Sequence, residues 1–210
     1  MIQLHCFGES GNSYKAALAL ELSGLDWEPV WVDFFNGAAR SDEFGELNVM
    51  AEAPVMIDGD TRLSQSGAIQ DYITESTGRF GGENDKERRE VFRWVLWDNH
   101  KLSSQAGTTR FLMNFLDPEK RPDQVIKFLQ GRLKAAYRVL NSHLDGRDFV
   151  VGNNVTNADL SCCGYLYYPE PFGFDRKDWP NIDRWLDRVA ALPGWKHPYD
   201  LMPGSPADRA

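Results

Sequence analysis

Residues 51–58 read A-E-A-P-V-M-I-D. Val55, Met56 and Ile57 have the composition of a short buried strand, yet the run opens on Pro54. Proline has no N–H to give to a ladder and is normally kept to strand starts, edges and bulges. The flanking residues favour a strand start. Asp58-Gly59 is a two-residue hairpin signal, and Thr61–Leu63 carries the chain back as a partner strand. An X-Pro bond loses only about 0.5–1 kcal/mol on going cis, so a folded context can fix it there. A cis Ala53-Pro54 bond bends the chain and leaves the Ala53 N–H and C=O outside the sheet. An extended peptide can pair with such groups as one more strand would. The stretch therefore predicts both a strand start and a peptide clamp.

Upstream of this hairpin, strand and helix signals alternate. Residues 2–7 read as a strand. Residues 12–24 read as a helix, with Tyr14, Ala17, Leu18 and Leu22 near helical spacing and Gly24 just past the end. Trp27–Val32 is a second strand, and a short helix covers Ser41–Leu47. After the hairpin, Ser66 caps a helix that runs to Thr77 and stops at Gly78. The order β-α-β-α-β-β-α makes the first two strands parallel through a right-handed crossover and adds an antiparallel pair. That is the thioredoxin-like layout.

Downstream, residues 79–84 read as a linker, and the pattern then changes to long helices. Val91, Trp94, Val95 and Leu102 mark one helix; Val125, Phe128, Leu129, Ala136, Leu140 and Leu144 mark another. Thr156-Asn157-Ala158-Asp159 has the capping-box form, and Ile182, Trp185, Leu186 and Val189 mark a further helix. The last stretch, M-P-G-S-P-A-D-R-A, reads as a loosely packed tail. The expected architecture is a thioredoxin-like α/β domain over 1–78, a linker over 79–84 and an all-α helical domain over 85–210.

The bulk composition limits the partners. The chain has 210 residues and a formal net charge of −8. A diffuse acidic balance argues against nucleic acid or an anionic membrane as the main partner. No apolar run approaches the ~20 residues that cross a bilayer. The N-terminus reads as a strand without a basic leader, so the expected location is cytoplasmic. Three cysteines fit a reducing compartment without a disulfide framework, and adjacent Cys162 and Cys163 read as small core residues. His5, His100, His143 and His197 are scattered with no metal-ligand spacing, so no metal is expected.

Three features carry chemistry. Ser10-Gly11-Asn12-Ser13 lies between the first strand and the first helix, where a thioredoxin-like fold places a C-x-x-C pair; both cysteine positions are serine, which disfavours a dithiol oxidoreductase. Ser10 there is either a plain N-cap or a hydroxyl donor to a bound anion or thiolate, helped by the helix dipole. Gln65-Ser66 opens the third helix and is either a cap or a carboxylate site. With the Ala53-Pro54 turn, these residues converge on one end of the same small sheet.

At this point the chain resembles the cytosolic glutathione S-transferases over nearly its whole length. The resemblance rests on S-G-N-S-Y-K at 10–15, L-N-V-M-A-E-A-P-V-M-I-D-G at 47–59, S-Q-S-G-A-I at 64–69 and T-N-A-D at 156–159. It is nearest to the serine-type members, such as the theta, zeta and related bacterial classes. It implies a homodimer that binds glutathione as co-substrate. Ser10 would hydrogen-bond the glutathione sulfur and favour the thiolate. Ala53 and Pro54 would hold the cysteinyl part, Gln65 and Ser66 the γ-glutamyl end, with Asn12 and Arg40 also in contact. The electrophile, a small hydrophobic molecule, would sit against the helical domain. Thr156 and Asp159 would be structural.

Two positions depart from the family pattern. Val49 follows Asn48 where relatives usually carry proline. Glu52 stands where many relatives carry Lys, Arg or Gln near the glycine carboxylate, which a facing glutamate would repel. Either Glu52 turns away, or Arg40 or another base supplies the counter-charge, or glutathione binds poorly. The expected function is glutathione transfer to an electrophile. The alternatives are a zeta-like glutathione-dependent isomerase and a noncatalytic module that binds a protein partner.

Overall fold

The computed structural model describes residues 1–204 and forms two compact units. The first comprises Met1–Arg79 together with the segment from Leu192, and the second Phe80–Ala191.

The first unit holds a four-stranded sheet in the order β2-β1-β3-β4. Its strands are β1 (Ile2–Cys6), β2 (Trp27–Trp31), β3 (Val55–Asp58) and β4 (Thr61–Ser64). β1 and β2 run parallel, with Leu4 opposite Pro29; β3 is antiparallel to both β1 and β4. The helices are α1 (Gly11–Ser23), α2 (Asp42–Leu47) and α3 (Ser66–Thr77). Two short 3₁₀ turns, Phe34–Asn36 and Ala38–Arg40, precede α2 and carry no periodic signal in the sequence.

Side-chain alternation explains the layering. Leu4 and Met56 are register partners and share one face of the sheet, where both are fully buried. Val55 points the other way and packs with Phe7, Val32, Ala39 and Phe44, which puts α2 on that face. α1 and α3 pack on each other and supply the apolar cover for the opposite face. α1 is buried almost all round, from Ala16 to Leu20, which is why its residues show little amphipathic pattern. Gly24 and Gly78 take left-handed φ values of 79° and 69° and stop α1 and α3.

The C-terminal segment departs from expectation. Residues from 192 group with the first unit, not with the helical domain. Tyr14 of α1 donates its hydroxyl to the Lys196 carbonyl at 2.9 Å, and Lys196 pairs with Glu21 at 2.7 Å. A short helix, α9 (Pro198–Leu201), packs on α1, and Leu201 and Met202 are buried. Met202–Gly204, read from sequence as loose tail, is therefore packed; Ser205–Ala210 lie outside the described residues.

The second unit is helical. α4 (Asp85–Trp97) continues through a π-helical stretch, Asp98–Ser103, into α5 (Ser104–Arg110), and α6 (Asp123–His143) follows. α7 (Asn157–Cys162) and α8 (Pro180–Ala190) complete it. The buried face of α6 is Ile126, Leu133, Ala136, Tyr137 and Leu140, whereas Val125 and Phe128 are exposed at 47% and 64%. The apolar stripe expected from sequence is thus rotated at its N-terminal end. The Thr156–Asp159 capping box is present, and Asp159 also accepts from Val150 N–H and the Trp185 indole. Trp94 packs against Trp97 and His143, and Cys162 and Cys163 are buried core residues. Tyr165 and Tyr168 are buried beside Arg110, whose guanidinium lies 3.8 Å from the Tyr168 ring centre and pairs with Glu170 at 2.7 Å. No helix among the described residues is long and apolar enough to cross a membrane.

Candidate glutathione site

Three loops of the first unit meet the ends of α1 and α3. Phe7–Ser10 leads into α1. Ser10 is its N-cap, with extended backbone (φ −88°, ψ 109°), and its Oγ accepts from Ser13 N–H at 3.1 Å. A hydroxyl that accepts still keeps its own proton to donate. Ser10 is only 7% exposed, so bulk water has little access to that proton. Ser10 N–H closes a turn on the Phe7 carbonyl at 3.1 Å. Asn12, in the first turn of α1, has a shielded Oδ1 with no hydrogen-bond partner among the described residues. Ser13, the second serine of the S-x-x-S pair, is fully buried inside α1.

The second loop is 48–54. The Ala53-Pro54 peptide bond is cis. The β1–β3 ladder begins at Val55, opposite His5, so Ala53 lies outside it. Ala53 N–H and C=O have no backbone partner among the described residues. Ala53 packs on the Phe7, Val32, Ala39, Phe44 and Val55 cluster. The same core thus supports the loop before Ser10 and the loop before the proline. Asn48 shapes the loop and is a residue the sequence reading passed over. It is buried, donates from Nδ2 to the Glu52 carbonyl at 2.7 Å and accepts from Met50 N–H at 3.1 Å. An asparagine just past a helix end is an Asx-turn signal that would have pointed to it.

The third loop is the start of α3. Gln65, not Ser66, is the N-cap residue, and it holds a left-handed φ of 69°. Ser66 is the first helical residue, and the sequence assignment of the cap is off by one because no local pattern announces a positive φ at glutamine. The Ser66 hydroxyl makes no hydrogen bond among the described residues, and neither do the Ser66 and Gly67 amides. These groups sit at the positive end of a 12-residue helix. Gln65 donates from Nε2 to the Glu52 carboxylate at 2.9 Å and to Met50 Sδ at 3.3 Å.

Arg40 stands apart. It ends the second 3₁₀ turn, is exposed, and makes no ion pair among the described residues. Its neighbours Ala38 and Ala39 share the core beneath Ala53, but no hydrogen bond or ion pair among the described residues joins the guanidinium to the loop. The structure therefore places Ser10, Asn12, Ala53, Pro54, Gln65 and Ser66 on the loops and helix starts of one unit, with Arg40 in that unit but on a separate 3₁₀ turn. Cys6 lies in β1, and burial pushes its thiol up to about 12, so no thiolate forms there at neutral pH.

Comparisons with known proteins agree with this architecture. The glutathione S-transferase N-terminal domain model matches residues 2–75, and the C-terminal domain model matches residues 104–193. A solved glutathione S-transferase from Xanthobacter autotrophicus Py2 is 31% identical, with a TM-score of 0.86 over 93% of this chain and 96% of that one. The disulfide-bond oxidoreductase YfcG of Escherichia coli K12 is 28% identical over 92% of each chain. A glutathione transferase structure from Burkholderia graminis, with two glutathione molecules bound per subunit, is 25% identical with a TM-score of 0.82, covering 92% of this chain and 85% of that one. The fold, the serine-capped first helix, the cis proline and both family matches place this chain in the cytosolic glutathione S-transferase family.

Proposed function

We propose that the protein binds glutathione on the 10–12, 52–54 and 65–66 loops and activates its thiol for attack on a small hydrophobic electrophile. The observation that carries this is the Ser10 hydroxyl, fixed by Ser13 N–H and free to donate. A donor aimed at sulfur favours the thiolate over the thiol, whose ordinary pKa is about 8.5. The thiolate lone pair then forms the new C–S bond. The displaced pair leaves with a leaving group, or collects a proton where the electrophile is an alkene or carbonyl conjugate.

The rest of the tripeptide follows from the same loops. The cysteinyl backbone pairs with Ala53 N–H and C=O as an added strand. The α-carboxylate of the γ-glutamyl end meets the Ser66 hydroxyl and the Ser66 and Gly67 amides at the α3 N-terminus. Its α-ammonium meets the Glu52 carboxylate, which Gln65 already holds beside that helix end. Glu52 then complements the zwitterion at this end instead of repelling the glycine carboxylate. Asn12 offers its unpaired Oδ1 as an acceptor to the bound cysteinyl group. A homodimer is the assembly expected of the family.

A second reading is reduction of a disulfide by two glutathione molecules, giving two thiols and glutathione disulfide. It is favoured by the name of the Escherichia coli relative; burial raises the Cys6 thiol, so in either reading the sulfur chemistry would come from glutathione alone. The deciding experiment is retention on immobilised glutathione with elution by free glutathione, followed by rates on an aryl halide, a maleylated isomerase substrate and a model dialkyl disulfide. Retention with conjugation supports the first reading, and reduction alone supports the second. Isomerisation alone supports the zeta-like alternative. No retention and no thermal shift at millimolar glutathione would remove all three and leave a noncatalytic interaction module.

A further inference from the structure

The C-terminal segment lies on the turn that carries Ser10. Gly8 N–H donates to the Pro203 carbonyl at 2.6 Å. The backbones at 8 and 204 approach so closely that a Cβ on Gly8 would lie 2.2 Å from the Gly204 carbonyl oxygen and 3.2 Å from the Pro203 oxygen. Gly204 itself holds a φ of +93°, and a Cβ there would lie 3.2 Å from Glu9 Oε2 and 3.7 Å from Trp31 Nε1. Upstream, buried Leu201 and Met202 anchor the segment.

The need for glycine differs at the two positions. Gly204 needs its positive φ. Gly8 is not among the positive-φ residues, so its backbone makes no left-handed demand for glycine, and the three atoms nearest a methyl group there all belong to the segment lying on it. Gly8 and Glu9 immediately precede Ser10, whose N–H closes the turn on Phe7. One side of the serine is thus held by Ser13 in α1, and the other through Gly8 by a segment almost two hundred residues away in sequence. A turn that loses such a tie opens locally at lower cost.

We propose that Pro203 and Gly204 form a positioning strap that fixes the Ser10 hydroxyl toward the glutathione sulfur. The proposal rests on the reading of Ser10 given above. The strap touches neither thiol nor electrophile. It acts by holding Gly8–Glu9 in place, so its loss lowers turnover more than it weakens glutathione binding.

The test compares the full chain, Gly8→Ala, a chain ending at Met202, and the two changes combined. Each single change is expected to lower kcat about tenfold, the scale of a sub-ångström misplacement of a reacting group, with KM for glutathione within about twofold. Each should also raise the titration midpoint of the bound glutathione thiol, read by thiolate ultraviolet absorbance. The combined variant should be no slower than the truncated chain, because truncation removes the Pro203 and Gly204 atoms that the Gly8 methyl would strike. Amide exchange at Gly8–Ser10 should quicken in both single variants while exchange within β1 and α1 beyond Ser13 stays unchanged, which separates lost positioning from lost folding. Unchanged kcat and thiol titration in the truncated chain, or penalties from the two changes that simply add, would overturn the strap. If the full chain neither binds nor turns over glutathione, the reading of Ser10 fails. In that event unchanged amide exchange at Gly8–Ser10 on truncation overturns the strap as well, and quickened exchange upholds its hold on the turn.

Discussion

Gln65 donates its side-chain amide to the Glu52 carboxylate across 2.9 Å, tying the loop before the cis proline to the residue that caps α3. In the proposed reading, this pairing gives Glu52 a place in the glutathione site. Replacing Glu52 by Gln is expected to weaken glutathione binding by about 1 kcal/mol or less, roughly two- to fivefold, as befits an exposed charge contact. The same variant should bind a glutathione analogue lacking the α-amino group as well as the parent does. Calorimetry with both ligands checks this; tighter glutathione binding by the variant would return Glu52 to a repulsive role at the glycine carboxylate.

Gln65 holds its φ of 69° without the freedom of glycine. A left-handed conformation costs a side-chain-bearing residue about 1–2 kcal/mol, and such strain persists where the surroundings enforce it. Gln65→Gly should therefore leave Tm unchanged or raised, while glutathione binding weakens through loss of the side-chain amide. A fall in Tm with unchanged affinity would make Gln65 a packing residue.

Asn48 organises the loop that presents Ala53. Removing its carboxamide takes a partner from the Glu52 carbonyl and from Met50 N–H. Asn48→Ala should cost about 0.5–1.5 kcal/mol in stability, the net worth of a hydrogen bond whose other partner water can reach, and should weaken glutathione binding at the same time. Chemical denaturation and calorimetry on one preparation measure both.

Asp159 tests the helical unit. Burial raises its carboxyl from the usual range to about 6, against the opposing pull of its hydrogen bonds from Val150, Thr156 and Trp185. Because the folded chain holds this proton more tightly than the unfolded chain, the Asp159 contribution is fully present below the unfolded value near 4 and is lost as pH rises through about 6. The stability difference between the parent and Asp159→Asn should shrink by on the order of 2–3 kcal/mol between those limits, at 1.36 kcal/mol per pH unit. Urea titrations across that range report it. A difference that grows with pH would reverse the sign of the shift.

Much of the backbone around the candidate site could be read before the fold was known, and the reasons are local. Pro54 before an apolar run, Asp58-Gly59 after it and Gly78 at a helix end each constrain backbone conformation through a single residue type. Ser10 and the Thr156–Asp159 box could be read because capping depends on residues three apart. What escaped depends on contacts between distant segments. Nothing near Gly8 announces that Pro203 will accept its N–H. Gln65 gives no sign of a positive φ, because glutamine carries no local preference for one. Val125 and Phe128 fit the helical period of α6, yet Ile126 and Leu133 define the buried face, because which side of a helix is covered depends on neighbours the period does not name.

The central claim is that Ser10 stabilises the thiolate of bound glutathione, and the most direct test is the titration of that thiol on the protein. With glutathione at saturation, the thiolate absorbance of the parent should reach its midpoint clearly below the ordinary thiol value of about 8.5. Ser10→Ala should return the midpoint toward that value while glutathione affinity changes little. Coincident titration curves for the parent and Ser10→Ala, both at saturation, would contradict the account.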